Sequence, residues 1–218
     1  MDIKMTDFLW TRPDSAPVAT LLLAHVAGAA MDSPFMEKIA AFAAAEGIAV
    51  VRFEFPYMAE RRRTGKKRPP PRADKLIDVY LTVISEISGE AQGPLLIGGK
   101  SVGERVAAMI TADPALDAHV AGVVCLGYPF HAPGKTDALR LEPLQALPLP
   151  CLIAQGERDA FGNREEVLGY GLPEAIEVLF LEDGSHDLAP RGSSPATWDG
   201  NLKLAAKAIR KLADGLHA

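Results

Sequence analysis

The 218-residue sequence predicts an α/β fold: a mostly parallel central sheet with helices on both faces. Two observations carry that prediction. Short, nearly continuous apolar runs recur along the chain, as strands buried on both faces require. Between most of them lie segments with apolar residues at helical spacing, so strands and helices alternate. The length suits one domain of this class, and neither a linker nor a repeat divides it, so residues 1–218 read as a single domain.

The first apolar run, residues 18–25 (VATLLLAH), is a buried strand that empties into a loop of small residues, Val26 to Ala30. Asp32 or Ser33 then caps a helix with Pro34 in its first turn. Phe35, Ile39 and Phe42 give that helix an apolar face, and Gly47 ends it. Residues 48–53 form the next strand. The stretch from Tyr57 to Arg72 breaks the pattern. It holds seven basic residues and three consecutive prolines without apolar periodicity, and reads as an exposed loop. Leu76, Tyr80, Val83, Ile84 and Ile87 mark a helix within residues 75–87.

Residues 95–98 are a strand and residues 102–111 a helix, followed by strands over 120–126, 151–155 and 176–181. Between these, residues 131–149 are proline-rich and irregular, and 164–168 form a short helix. Leu202, Ala205, Ile209 and Leu212 mark the closing helix, which Gly215 can terminate.

Composition narrows the function classes. A net charge of -5 argues against a nucleic-acid surface. No apolar run is long enough to span a membrane. The opening residues, MDIKMTDFLW, lack the basic-then-apolar pattern of a secretory signal. Cys125 and Cys151 lie in apolar strands and read as buried thiols, so a cytoplasmic setting is expected. His and Cys are too scattered for a zinc site, and the glycines lack dinucleotide-binding spacing. No metal or cofactor is expected.

Chemistry concentrates at Gly99-Lys100-Ser101-Val102-Gly103, a G-x-S-x-G where a strand becomes a helix. That context suits a nucleophilic serine, whose sharp turn needs small neighbours two residues away on either side. A serine hydroxyl also needs a base, and the base needs a third group to orient it. Two later strand ends supply them in GERDAFG, with Asp159, and DGSHDL, with His186. Asp183 and Asp187 compete for the acid's role, but they sit on the histidine's own loop, whereas Asp159 arrives from a separate strand. The order Ser, Asp, His is that of α/β-hydrolases.

The sequence resembles a small α/β-hydrolase of the dienelactone-hydrolase-like group. The matching segments are AHVAGAAMDSPFM, the FPY of residues 55–57, GGKSVGERVA, GERDAFG and DGSHDL, which run from the first strand to the last. Within that group it is most similar to a branch that includes a testis-expressed human protein and a subunit of a chromatin acetyltransferase complex. The resemblance implies Ser101 as nucleophile, His186 as general base and acid, and Asp159 as its orienting carboxylate. It further implies an oxyanion hole made by the backbone N–H groups of Ala27 and Val102. The implied partner is a small acyl substrate, cleaved as an ester or thioester. A catalytically silent scaffold of the same fold, acting as an interaction module, is the alternative. Oligomeric state stays open.

Two positions depart from the family pattern: Val26 replaces a glycine in the oxyanion loop, and Glu104 replaces a glycine after the elbow. Glu104 either favours the helix dipole or shapes the pocket. Lys100 either contributes pocket electrostatics or has no catalytic part. His25 is expected to brace the oxyanion loop, His119 and His217 to be solvated, and His131 has no assigned role. The basic stretch Arg61 to Arg72 reads as a solvated loop stiffened by Pro69, Pro70 and Pro71, with an anionic ligand as the alternative. Residues 129–150, where related enzymes insert a helical lid, are short, which implies an open site.

Overall fold

The computed structural model describes residues 8–216, so the reading of His217 lies outside the described residues. Strands β1 (Leu9–Thr11), β2 (Ala19–Ala24), β3 (Ile48–Phe53), β4 (Leu95–Gly99), β5 (Val120–Leu126), β6 (Cys151–Gly156) and β7 (Ile176–Leu181) form one sheet. Its order is β1-β3-β2-β4-β5-β6-β7. All neighbours run parallel except the edge strand β1, which pairs antiparallel with β3. β1 has only three residues and no periodicity to betray it.

Alternate residues of each strand serve opposite faces. On one face α1 (Pro34–Ala45) and α7 (Trp198–Gly215) bring Met36, Ile39, Leu202 and Ile209 onto Leu21, Leu23, Val50 and Val124. On the other, α3 (Ile77–Ile87) and α4 (Val102–Ile110) pack Tyr80, Val83, Val106 and Ile110 against Leu22, Ile97 and Val123. Each buried aliphatic side chain contributes about 1.5–3 kcal/mol, so these two layers dominate stability. A single 3-10 turn, Ala73–Leu76, leads into α3.

The stretch read as an exposed loop is partly helical: α2 spans Pro56–Thr64, and only its continuation from Gly65 to Arg72 is irregular and exposed. Met58 is its one buried residue, which explains the missing periodicity. Its stop and start signals were nevertheless present. Pro56 opens the helix, Gly65 closes it at φ 71°, and Arg61, Arg62 and Arg63 sit in the last turn where cations suit the dipole. Arg62 fastens it further, donating to Glu54 beyond β3 (2.6 Å) and to Asp32 before α1 (2.8 Å). The irregular 131–149 segment also contains one helical turn, α5 (Glu142–Gln145), and α6 (Arg164–Leu168) comes after β6.

After β3 the chain crosses over β2 to form β4, so the sheet order reverses between β2 and β4. Open α/β sheets bind ligands in the crevice at such a switch point, beyond the carboxyl ends of the strands. Ala24 at the end of β2 pairs with Gly99 at the end of β4, so the loops that leave these two strands border that crevice.

Candidate active site

Ser101 stands two residues beyond β4, in a backbone conformation (φ 57°, ψ -109°) that a non-glycine residue rarely adopts. The glycines around it permit the turn. A Cβ on Gly103 would lie 2.6 Å from the Ala24 carbonyl oxygen, and one on Gly99 would lie 2.5 Å from the Glu104 nitrogen. Strand and helix are thus pressed together across the serine, as the motif requires. Val102 is the first residue of α4, so its N–H has no intrahelical acceptor and is aimed at the crevice end of the helix.

Asp159 and His186 come together from the ends of β6 and β7. The His186 Nδ1 lies 2.8 Å from Asp159 Oδ2. An ionised carboxylate only accepts, so Nδ1 carries the proton and Nε2 is left with a lone pair. Asp159 is fully buried, and its other contacts hold it still: Oδ1 accepts the Phe161 N–H (2.8 Å) and Oδ2 accepts from Gln155 Nε2 (3.1 Å). The rival acids point elsewhere. Asp183 pairs with Arg158 and Arg191, and Asp187 lies 3.8 Å from the Lys100 ammonium.

The loop that carries His186 is anchored from several sides. Asp183 and Leu188 bracket it, both at positive φ (49° and 59°). Asn201 of α7 donates to the carbonyls of Glu182 and Leu188, and the Trp198 indole N–H donates to the Asp187 carbonyl at 2.8 Å. The Phe161 ring lies 4.2 Å from the imidazole, centre to centre.

In the loop after β2, Val26 and Ala27 are half-buried. Among the described non-glycine residues, only Ser101, Asp183 and Leu188 have positive φ. Val26 therefore occupies its glycine's place without backbone strain. His25 is buried beneath the loop: its Nδ1–H donates to the Val26 carbonyl (2.7 Å) and its Nε2 accepts the Phe55 N–H (3.1 Å). Burial lowers its pKa and keeps the ring neutral, the state both bonds need.

The chain belongs to the alpha/beta hydrolase domain family. That family matches residues 17–214. Among solved structures, the hydrolase is similar to an alpha-beta serine hydrolase homologue from Coxiella burnetii (TM-score 0.65, 19% identity, covering 97% of this chain and 91% of that one). It is similar too to dienelactone hydrolase from Anabaena variabilis (0.66, 19%, 94% and 88%). A third is a lidless α/β serine hydrolase from Xanthomonas campestris (0.63, 17%, 96% and 87%). At such identities the likeness is one of fold.

Two residues of this α/β-hydrolase whose roles the sequence left open have definite places. Glu104, fully buried, turns back so that Oε1 accepts the Ser101 N–H (2.8 Å), while Oε2 is buried with no hydrogen-bond partner. Burial raises its pKa well above the ordinary carboxyl range. Glu104 thus lies beneath the elbow and supports it. Lys100, 1% exposed, crosses to the histidine loop and donates to the His186 carbonyl at 2.6 Å, with burial lowering its pKa. The Lys100 contact was not legible from spacing, because Lys100 and its acceptor are 86 positions apart, whereas Ser101 and Glu104 stand at the S-x-x-E spacing of a capping box.

His131, also buried, donates from Nδ1 to the Ala132 carbonyl and brings Nε2 to 3.4 Å from Glu166 at the start of α6. Cys125 and Cys151 are buried free thiols. Among the described residues no group of three or more His, Cys, Asp or Glu is placed to hold a metal ion. Nor is any described helix long and apolar enough to cross a membrane.

Proposed function

We propose that the chain is a serine hydrolase that cleaves a carboxylic ester or thioester through an acyl-enzyme on Ser101. One observation carries the reading: a fully buried carboxylate, Asp159, fixes the tautomer of a histidine from a separate strand end. That arrangement leaves Nε2 free to take a proton, beside a crevice where Ser101 sits on a strained elbow.

In the reaction, Ser101 Oγ bonds to the carbonyl carbon as its proton passes to His186 Nε2. The Val102 and Ala27 N–H groups hold the oxyanion, each donor lowering the barrier by about 3–4 kcal/mol. Collapse breaks the bond to the alcohol or thiol, which leaves with the proton from His186. Water then gives its proton to His186 and its oxygen to the acyl carbon, and the serine recovers the proton as the acid departs. Asp159 stays ionised and stabilises the imidazolium.

Between residues 129 and 150 the only helix is the four-residue α5, which supports an open site for small or exposed acyl groups. The free, buried cysteines favour a reducing compartment such as the cytoplasm. The narrower resemblance, to the branch with the testis-expressed protein and the acetyltransferase-complex subunit, rests on the sequence segments alone.

A fluorophosphonate probe followed by intact mass tests the reading without knowledge of the substrate. One adduct on the parent, none on Ser101→Ala and slow labelling of His186→Ala are the expected results. A folded parent that takes no adduct would sink the proposal and leave the interaction scaffold in its place.

A further inference from the structure

The serine-hydrolase reading assigns an oxyanion donor to the loop after β2, and the role inferred here for α2 rests on that reading. The residues of this loop, Val26-Ala27-Gly28-Ala29-Ala30, are nearly all small. Packing alone cannot fix such a loop. A Cβ on Gly28 would meet nothing within 4 Å, so the chain there is not gripped by neighbours. What holds it instead is a series of hydrogen bonds to its carbonyl oxygens. His25 Nδ1 takes Val26 (2.7 Å), the Tyr57 hydroxyl takes Ala27 (3.2 Å), and Arg61 takes Gly28 (2.8 Å). Beyond them the Ser33 N–H takes Ala30 (3.0 Å) and Arg52 takes Met31 (2.9 Å).

We propose that Tyr57 and Arg61 of α2 are positioning residues that aim the amides of this loop at the oxyanion. A trans peptide points its C=O and the following N–H in opposite directions, and this chain has no cis bonds among the described residues. The peptides before and after Ala27 are each held by their oxygen, so both of its backbone torsions are restrained. The sheet order supplies the direction. β2 lies between β3 and β4, and α2 comes after β3 while Ser101 comes after β4. The Ala27 and Gly28 carbonyls, drawn toward the α2 flank, turn the N–H groups of Gly28 and Ala29 away from it, while His25, by holding the Val26 carbonyl, fixes the peptide that carries the Ala27 N–H. Among the described residues the N–H groups of Ala27 and Gly28 have no protein acceptor, while Ala29 closes a turn over them.

The same bonds keep negative carbonyl ends away from a site where negative charge develops. Preorganisation of this kind is what makes backbone donors effective. α2 is itself well anchored. Arg62 ties it to Asp32 just past the loop, and Tyr57, half-buried, lies 5.6 Å from the His25 ring. A helix that buries one side chain in the core is thus retained by polar contacts to the site. The basic residues at its end divide accordingly: Arg61 donates to Gly28 and Arg62 to Asp32 and Glu54, while Lys66 and Lys67 are exposed beyond the helix.

The test is fluorophosphonate kinetics on the parent, Tyr57→Phe, Arg61→Lys, the double variant Tyr57→Phe/Arg61→Leu, and Ser101→Ala as the blank. The inactivation constant kinact and the binding constant KI are resolved separately. With the donors misdirected but not removed, kinact of the double variant is expected to fall about 10- to 100-fold, short of deleting a donor outright. KI should stay near the parent value, and Arg61→Lys, which keeps a charged donor, should retain more of the rate than the double variant. A double variant that labels at the parent rate overturns the inference while leaving the hydrolase reading intact, as does a change confined to KI. No adduct on the parent overturns both. Should the double variant fail to fold, Tyr57→Phe decides alone: it keeps the ring against His25 and removes one oxygen, so an unchanged kinact there is equally fatal.

Discussion

Replacing Asp159 by asparagine preserves shape and alters the chemistry of one atom. In the parent the carboxylate accepts three hydrogen bonds, from Phe161 N–H, Gln155 Nε2 and His186 Nδ1. An amide that keeps its oxygen on Phe161 presents an NH2 to two groups that are themselves donors. Gln155 cannot turn to relieve the conflict, because its Oε1 accepts the Tyr128 N–H (2.8 Å) and its Nε2 serves the Gly162 carbonyl (2.9 Å). His186 can relieve its share by shifting the proton to Nε2, which leaves Nδ1 to accept. That tautomer cannot take the serine proton. The rate should fall about 10³–10⁴-fold, equivalent to ~4–5.5 kcal/mol of barrier. The remaining donor–donor contact with Gln155 should destabilise the fold by about 1–3 kcal/mol. Inactivation by the fluorophosphonate gives the first quantity, and urea unfolding gives the second. An asparagine variant labelled within tenfold of the parent would refute the assigned role of Asp159.

Two further outcomes concern the buried pair under the elbow. Lys100→Met removes the donor to the His186 carbonyl but also a buried charge, so unfolding stability should shift by no more than about 2 kcal/mol. The labelling rate should drop about tenfold as the histidine loop loosens, and an unchanged rate would count against a positioning role. Glu104 has a folded pKa raised above its ordinary 4.5, so the folded state holds a proton that the unfolded chain releases. Its contribution is full below pH 4.5 and is lost as pH rises through the folded value. Glu104→Gln lacks this titration, so its stability relative to the parent should rise with pH above 4.5, by up to about 1.4 kcal/mol per unit. Parallel stability–pH curves from urea unfolding would contradict a buried, protonated Glu104.

The sheet was legible because each inner strand is an apolar run, and the helices over it repeat at their own period. Residues such as Leu21 to Leu23, buried from both sides, leave one reading. β1 was not legible, since three edge residues carry no pattern, and α2 was missed because it buries Met58 alone. For the candidate site, the G-x-S-x-G glycines announce their purpose through the space they vacate. The supporting contacts do not. Tyr57, Arg61 and Lys100 donate to backbone carbonyls, and a backbone acceptor leaves no residue type in the sequence to search for; Glu104 is the exception, since it accepts the Ser101 N–H at the S-x-x-E spacing of a capping box.

Of the two tryptophans, Trp10 lies on the edge strand with the Arg12 guanidinium 3.9 Å from its ring, far in sequence from the chemistry. Trp198 is different, because its indole N–H is bonded to the carbonyl of the residue after His186. The chain therefore contains its own optical gauge of the histidine loop. In a Trp10→Phe background, the emission of Trp198 would register any displacement of that loop as its N–H exchanges a protein acceptor for water. Loop motion during acylation and release could then be timed in solution, with no dye attached and no substrate that itself absorbs or fluoresces.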